Sequence, residues 1–370
     1  MIKISKFLFL ALFVFAACTS DNGGEEPIGG SENSFDRKAM LANWADNIIV
    51  PSFENFASST QDLQEKTNSF TINPSEENLV QLRSAYKKAY LDFQTVSMFE
   101  IGKAEELNYR NFLNTYPSDV STMVNEIESG SYNLSLPSTY NEQGFPALDF
   151  LINGLADSDQ EIVSKYSSEE YKSYLLDVSK RINSLTIEVN ASWQGTFRDN
   201  FVNNTSSSST GSVDKFTNDY VLYFEKFLRS GKIGFPAGVF TGEPSPGNVE
   251  ALYSQDLSRE LYIKSVKSVQ DFFNGKYYGS NQTGLSYKQY LDYLDSMKDG
   301  QILSTLINNQ FGTILSQATG LDQSLKSQVQ TNNTEMLQAF DELQKEVILL
   351  KVDMMQALSI SVDYVDSDGD

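Results

Sequence analysis

Histidine is absent from this chain of 370 residues, and cysteine occurs once, at Cys18. Without an imidazole, Ser-His-Asp and Cys-His nucleophiles have no base. A catalytic zinc takes three protein ligands, nearly always including His, and no such set exists here. A lone cysteine leaves no internal disulfide. Positive charge is also scarce: 28 Lys and Arg stand against 49 Asp and Glu, a net charge of −21. Such a chain repels DNA, RNA and anionic lipid, because phosphate binding depends on neutralising Lys and Arg. No nucleic-acid partner is expected, and cations are the more natural ligands. Long apolar runs are missing too. Phe7 to Phe15 is unbroken, but it falls well short of the about 20 residues that a spanning helix needs.

That short run is informative in its place. Lys3 and Lys6 precede it, Ala16 and Ala17 follow, and then comes Cys18. Basic, apolar and small residues in that order form an export signal. A cysteine directly after the small pair makes it a lipoprotein signal, so residues 1–17 read as the leader and Cys18 as the acylated (palmitate-type) anchor. Residues 18–33 then read as an acidic tether rich in Gly, Ser, Asn, Asp and Glu, too poor in apolar side chains to fold. The expected location is the cell envelope, lipid-anchored at the outer membrane on its periplasmic or surface face.

The body is expected to be all-α. Leu79, Leu82, Tyr86, Ala89, Phe93 and Val96 step by three and four. So do Tyr174, Val178, Ile182, Leu185 and Val189, then Val213, Phe216, Tyr220, Tyr223 and Phe227, then Met336, Phe340, Leu343, Val347, Leu350 and Met354. This spacing gives each helix one apolar face, as a bundle requires. Ser75 and Ser168 stand as N-caps ahead of acidic first turns. Pro51 is expected to kink or end the first long helix near Val50. Thr205 to Ser212 is a loop by composition, and Gly231 to Gly247 carries too much Gly and Pro to be one helix. We therefore divide the body into an N-terminal bundle half, 34–205, and a C-terminal one, 206–370. Gly144-Phe145-Pro146-Ala147 recurs as Gly234-Phe235-Pro236-Ala237, once in each half, which favours an internal duplication with a cleft between the halves. Each Pro is expected at a helix start, with its Phe packed between the halves.

The stretch Gly144-Phe145-Pro146-Ala147-Leu148-Asp149 resembles the signature region of the imelysin family, where the main branch carries Gly-x-His-x-x-Glu. Pro146 stands where that branch has His, and Asp149 where it has Glu. Arg110 to Asp119, with Asn114, Tyr116 and Pro117, resembles the family's Asn-x-Tyr-Pro-x-Asp segment. Lys232 to Phe240 resembles its second-half loop, and Lys351 to Leu358 its C-terminal helix. The resemblance implies an all-helical fold of two duplicated halves with the signature loop facing a cleft. It also implies an envelope protein linked to iron uptake or iron-regulated expression, with iron-uptake envelope proteins as partners. The family is filed among metallopeptidases, of an insulin-cleaving type. Pro146 has no ligand atom, so zinc hydrolysis by that motif has no ligand set in this chain.

A metal remains compatible with the composition, since carboxylate and phenolate oxygens suit iron or calcium rather than zinc. Asp149 is the first candidate ligand and Glu100 the second, with Glu105, Glu106, Tyr116, Asp119 and Glu243 near motif segments. Arg110 is expected to pair with Asp149 or Asp119. Three readings stand at this point: a non-catalytic metal-handling lipoprotein, a metallopeptidase, and an interaction module that binds no small ligand.

Overall fold

The computed structural model describes residues 34–254 and 256–364; the leader, Cys18, the tether and the acidic tail after Tyr364 lie outside the described residues. The chain is all-α, apart from one short hairpin pairing Met297–Lys298 with Gln301–Ile302. Helices α1 (Arg37–Asn43), α2 (Val50–Ile72), α3 (Glu76–Val96), α4 (Gly144–Asp149) and α5 (Glu169–Gln194) are followed by α6 (Ser212–Leu222), α7 (Ser258–Phe273), α8 (Leu303–Gly320) and α9 (Leu325–Val347). No helix among the described residues is long and apolar enough to cross a membrane.

The start signals act as expected. Ser75 accepts the Asn78 N–H at 3.2 Å, and Ser168 accepts the Tyr171 N–H at 3.4 Å, each ahead of two glutamates in the first turn. These satisfy donors that a helix start leaves unpaired, and the carboxylates suit the positive end of the helix dipole. The α3 stripe is buried from Leu79 to Val96, and so are Tyr174 to Val189 on α5. Helix α2 packs against both α3 and α5. Further on, α7 packs on α8, α8 on α9, and α9 on a π-helical segment, Tyr223–Gly234. Helix α3 also packs along α7, which ties the two sets together.

Pro51 does not end its helix. Residues 37–72 form one helical run in which Trp44–Ile49 is a π-helical turn and Pro51 stands at the start of α2. Proline removes the N–H that would bond the carbonyl four residues back. Here that carbonyl, Asn47 O, accepts the Tyr278 backbone N–H at 2.8 Å instead. The break in the ladder is therefore used for a tertiary contact. Trp44, one residue into the π turn, fills the core against Phe216, Phe272 and Tyr287, with ring centroids 4.9 to 5.3 Å apart.

The two Gly-Phe-Pro-Ala copies differ in local geometry. Gly144 opens α4 with φ +77°, and Pro146 lies within that helix. Gly234 is itself helical, at φ −64°, and Pro236 sits in the last turn of a run that ends at Gly238, φ +77°. Gly231 to Ala237 is thus helical, and the irregular segment begins only at Gly238. Phe145 is buried in the aromatic core, stacked on Tyr90 at 4.5 Å and near Phe56 and Phe93. Phe235 is 41% exposed and leans on Phe240.

Candidate functional site

Asp149 ends α4 and leads into a π turn, Phe150–Gly154. That turn sets Asn153 beside it, so Asn153 Nδ2 donates to Asp149 Oδ1 at 3.1 Å. A distant segment completes the shell. The Tyr253 N–H donates to Oδ2 at 2.7 Å, the Ser254 hydroxyl donates to Oδ1, and Asn153 also donates to Ser254 Oγ at 2.8 Å. The carboxyl is buried, and burial raises its pKa above the usual carboxylate range. The donors from Ser254, Tyr253 and Asn153 oppose that shift by stabilising the charged form. Tyr86 from α3 lies alongside, its buried hydroxyl without a well-formed hydrogen bond. Burial, then the charges on Asp149 and Glu250, keep that phenol protonated well beyond the ordinary range.

A second buried carboxylate lies close by. Glu250, 2% exposed, accepts Asn114 Nδ2 at 2.8 Å and forms an ion pair with Lys232, 3% exposed. Asn114 accepts the Tyr90 hydroxyl. Lys232 Nζ also donates to Gln94 Oε1 at 3.0 Å, which in turn accepts the Ser265 hydroxyl at 2.8 Å. The cluster thus joins α3, the Asn114 segment, the end of the Tyr223–Gly234 helix and α7. Two buried charges of opposite sign, each with further hydrogen bonds, are what makes such a pair tolerable away from water. Tyr116 also feels Glu250: burial, then that charge, keeps its phenol protonated. A cavity of about 360 Å³ opens beside this cluster, lined by Asn114, Tyr116, Pro117, Phe227 and Phe235 among others. It takes residues from both sides of Ser206 in the chain.

The site residues expected from the sequence therefore divide into three. Asp149, Asn114 and Phe235 border this cluster or its cavity. Gly144, Phe145, Pro146, Gly234 and Pro236 serve the backbone and core; a Cβ at Gly144 would come within 2.3 Å of the Leu113 carbonyl oxygen. Arg110 and Glu100 belong elsewhere. Arg110 pairs with neither Asp149 nor Asp119: its guanidinium binds Asp219 at 3.1 and 3.2 Å, donates to Ser97 O at 2.6 Å, and lies over Phe227. Asp119 instead caps the Val120–Ser129 helix. Glu100 accepts the Arg110 N–H, at 3.1 and 3.0 Å to its two oxygens, and its own N–H donates to Asp219. Burial raises the Glu100 pKa to about 7, with Arg110 opposing and Asp219 adding to the shift. Glu105 pairs with Lys215 and Glu106 with Lys103. Among the described residues no three carboxylates gather closely enough to form a metal cage.

Glu250, Lys232, Gln94 and Ser254 escaped the sequence reading. Lys232 opens the Lys-Ile-Gly-Phe-Pro-Ala segment, and that adjacency was the available signal. Glu250 and Ser254 lie in an irregular stretch with no periodicity to mark them.

The imelysin family model matches residues 49–350. The chain belongs to the imelysin family. Two solved structures share the fold of this imelysin chain. An imelysin-like protein from Psychrobacter arcticum 273-4 is 14% identical with a TM-score of 0.69, covering 89% of this chain and 97% of its own. A protein from Parabacteroides distasonis ATCC 8503, described as an iron-regulated protein A precursor, is 15% identical with a TM-score of 0.71, covering 88% of this chain and 97% of its own. No curated protein sequence matches the chain.

Proposed function

We propose that this imelysin is a non-catalytic binding lipoprotein of the cell envelope, held by acylated Cys18, that handles iron or another hard cation. Its binding place is the cleft at the Asp149–Glu250 cluster, between an N-terminal and a C-terminal half. The observation that carries the reading is the pair of buried carboxylates, Asp149 and Glu250, the second bound by Asn114 on the wall of an open cavity, in a chain with no histidine. Oxygen donors without imidazole suit hard cations and not hydrolytic zinc. Each carboxylate already has partners, and no carboxylate cage gathers around them. A cation that brings its own ligands, a metal chelate, therefore fits better than a bare ion. The description of the Parabacteroides distasonis protein as iron-regulated supports the same direction.

A digest separates this from the metallopeptidase reading. Purified protein incubated with unfolded insulin chains, with and without a chelator, is expected to leave them intact. Chelator-sensitive cleavage would overturn the non-catalytic assignment. A second reading, an interaction module without a small ligand, draws on the exposed Phe235, which lines the cavity, and on exposed Phe240 beside it. It predicts that Phe235→Ala weakens capture of an envelope partner and leaves metal binding unchanged.

A further inference from the structure

The cavity beside the Asp149–Glu250 cluster has a wall unlike the rest of this acidic chain. The sequence carries 49 Asp and Glu, yet among the described residues none of them lines this cavity, and the one charged side chain on its wall is Lys226. Lys226 is exposed, with its Nζ 5.7 Å from the centroid of the Phe227 ring. It takes part in no ion pair and no hydrogen bond among the described residues. Glu250, behind the wall, already has Lys232 as its counter-ion. A bare cation therefore meets like charge and no carboxylate here, whereas a complex of net negative charge is attracted.

The remainder of the wall is apolar, and its rings are accessible. Phe235 is 41% exposed, Phe227 and Tyr116 are part-exposed, and Pro117 is exposed. The two Phe rings are held from behind. Phe227 has the Arg110 guanidinium at 4.5 Å and the Tyr223 ring stacked at 6.3 Å. Phe235 leans on Phe240 at 4.9 Å, and Phe240 on Phe340 at 5.8 Å. Asn111 and Asn248 add side-chain amides that make no hydrogen bond among the described residues, so their N–H groups are available to oxygens of a ligand. At about 360 Å³ the cavity lies in the usual range for small-molecule sites, and a few polar groups on an apolar wall are their usual lining. Such a wall selects for negative charge and ring area together.

We propose, resting on the reading that this cavity takes a metal chelate, that the chelate is aromatic and anionic: a ferric catecholate, with its rings on Phe227 and Phe235 and its charge at Lys226. Catecholate oxygens are hard donors that suit ferric iron. They leave the complex with net negative charge and turn its rings outward. Ring-to-ring contacts add to the gain from burial, which a carboxylate chelate such as ferric citrate lacks.

The test titrates three ferric complexes into the purified full chain by calorimetry. The 2,3-dihydroxybenzoate complex is anionic with rings, the citrate complex anionic without rings, and the maltolate complex neutral with rings. The expected result is one site per chain, with the catecholate complex at least tenfold tighter than the other two. Lys226→Gln is expected to weaken the catecholate and citrate complexes and leave maltolate unchanged. Phe235→Ala is expected to weaken catecholate and maltolate and leave citrate unchanged. Both side chains are exposed, and an unchanged melting temperature verifies that the variants fold. Ferric citrate binding as tightly as the catecholate complex, or catecholate affinity unchanged in both folded variants, would overturn this inference and leave the chelate reading of the cavity standing. Absence of binding by all three complexes would overturn both, as would metal-free 2,3-dihydroxybenzoate binding as tightly as its ferric complex.

Discussion

At the scale of single residues, Glu346 is an acid placed where charge is unfavourable. It is fully buried on α9, and neither carboxyl oxygen has a hydrogen-bond partner. Burial raises its pKa well above the ordinary value, so the folded protein holds a proton that the unfolded chain releases. A group raised in the fold costs stability as pH climbs from its unfolded toward its folded pKa. Glu346→Met is therefore expected to raise the melting temperature, by more at pH 8 than at pH 5. Equal shifts at both pH values would show that the charge is not what matters. Gly144 illustrates the opposite dependence, on having no side chain. Its φ is +77°, and an added Cβ would collide with the Leu113 carbonyl. Gly144→Ala combines backbone strain with that clash, and we expect a loss of more than about 2 kcal/mol in denaturant unfolding.

At the scale of elements, the helices were legible because their stripes and caps are local. Ser75, Ser168 and the α3 stripe needed nothing beyond spacing. Pro51 is expected to kink its helix or end it near Val50; the helix continues through a π-helical turn instead of ending. The missing element was the Tyr278 N–H, which lies more than two hundred residues away in sequence. Arg110 was mispaired for the same reason, since its partner Asp219 is on α6. That largely buried pair connects the Glu100 segment to α6, and Arg110→Met should leave Asp219, its side chain 12% exposed, without its cation. Removing one partner of such a pair typically costs about 3–5 kcal/mol, and Arg110→Met with Asp219→Leu should recover part of it. A double variant no more stable than Arg110→Met would contradict this. Glu100 gives the same element a pH dependence. Its pKa rises from 4.5 to about 7 in the fold, so its contribution falls as pH rises through that window. Glu100→Gln should flatten the decline in melting temperature between pH 5 and pH 8; an unchanged slope would assign the decline to other groups.

At the scale of the whole molecule, the all-α fold and the family were readable because separated motifs occur in order along the chain. The site was readable only in part. Asp149, Asn114 and Lys232 lie in recognisable motifs, whereas Glu250 and Ser254 reach them through tertiary folding alone. The Gly-Phe-Pro-Ala echo misled locally, since one copy opens a helix and the other closes one. The proposed function rests on the Asp149–Glu250 cluster, and its most direct test is metal binding by residues 34–370 expressed without lipid. Ferric citrate, free ferric and ferrous iron, calcium and zinc are titrated by calorimetry, with Asp149→Asn and Glu250→Gln alongside. The account predicts micromolar binding of an iron species, strongest for the chelate, that is weakened at least tenfold in both variants while zinc binds no better than to the variants. Absence of binding by every metal, or iron binding that both folded variants retain, would contradict it.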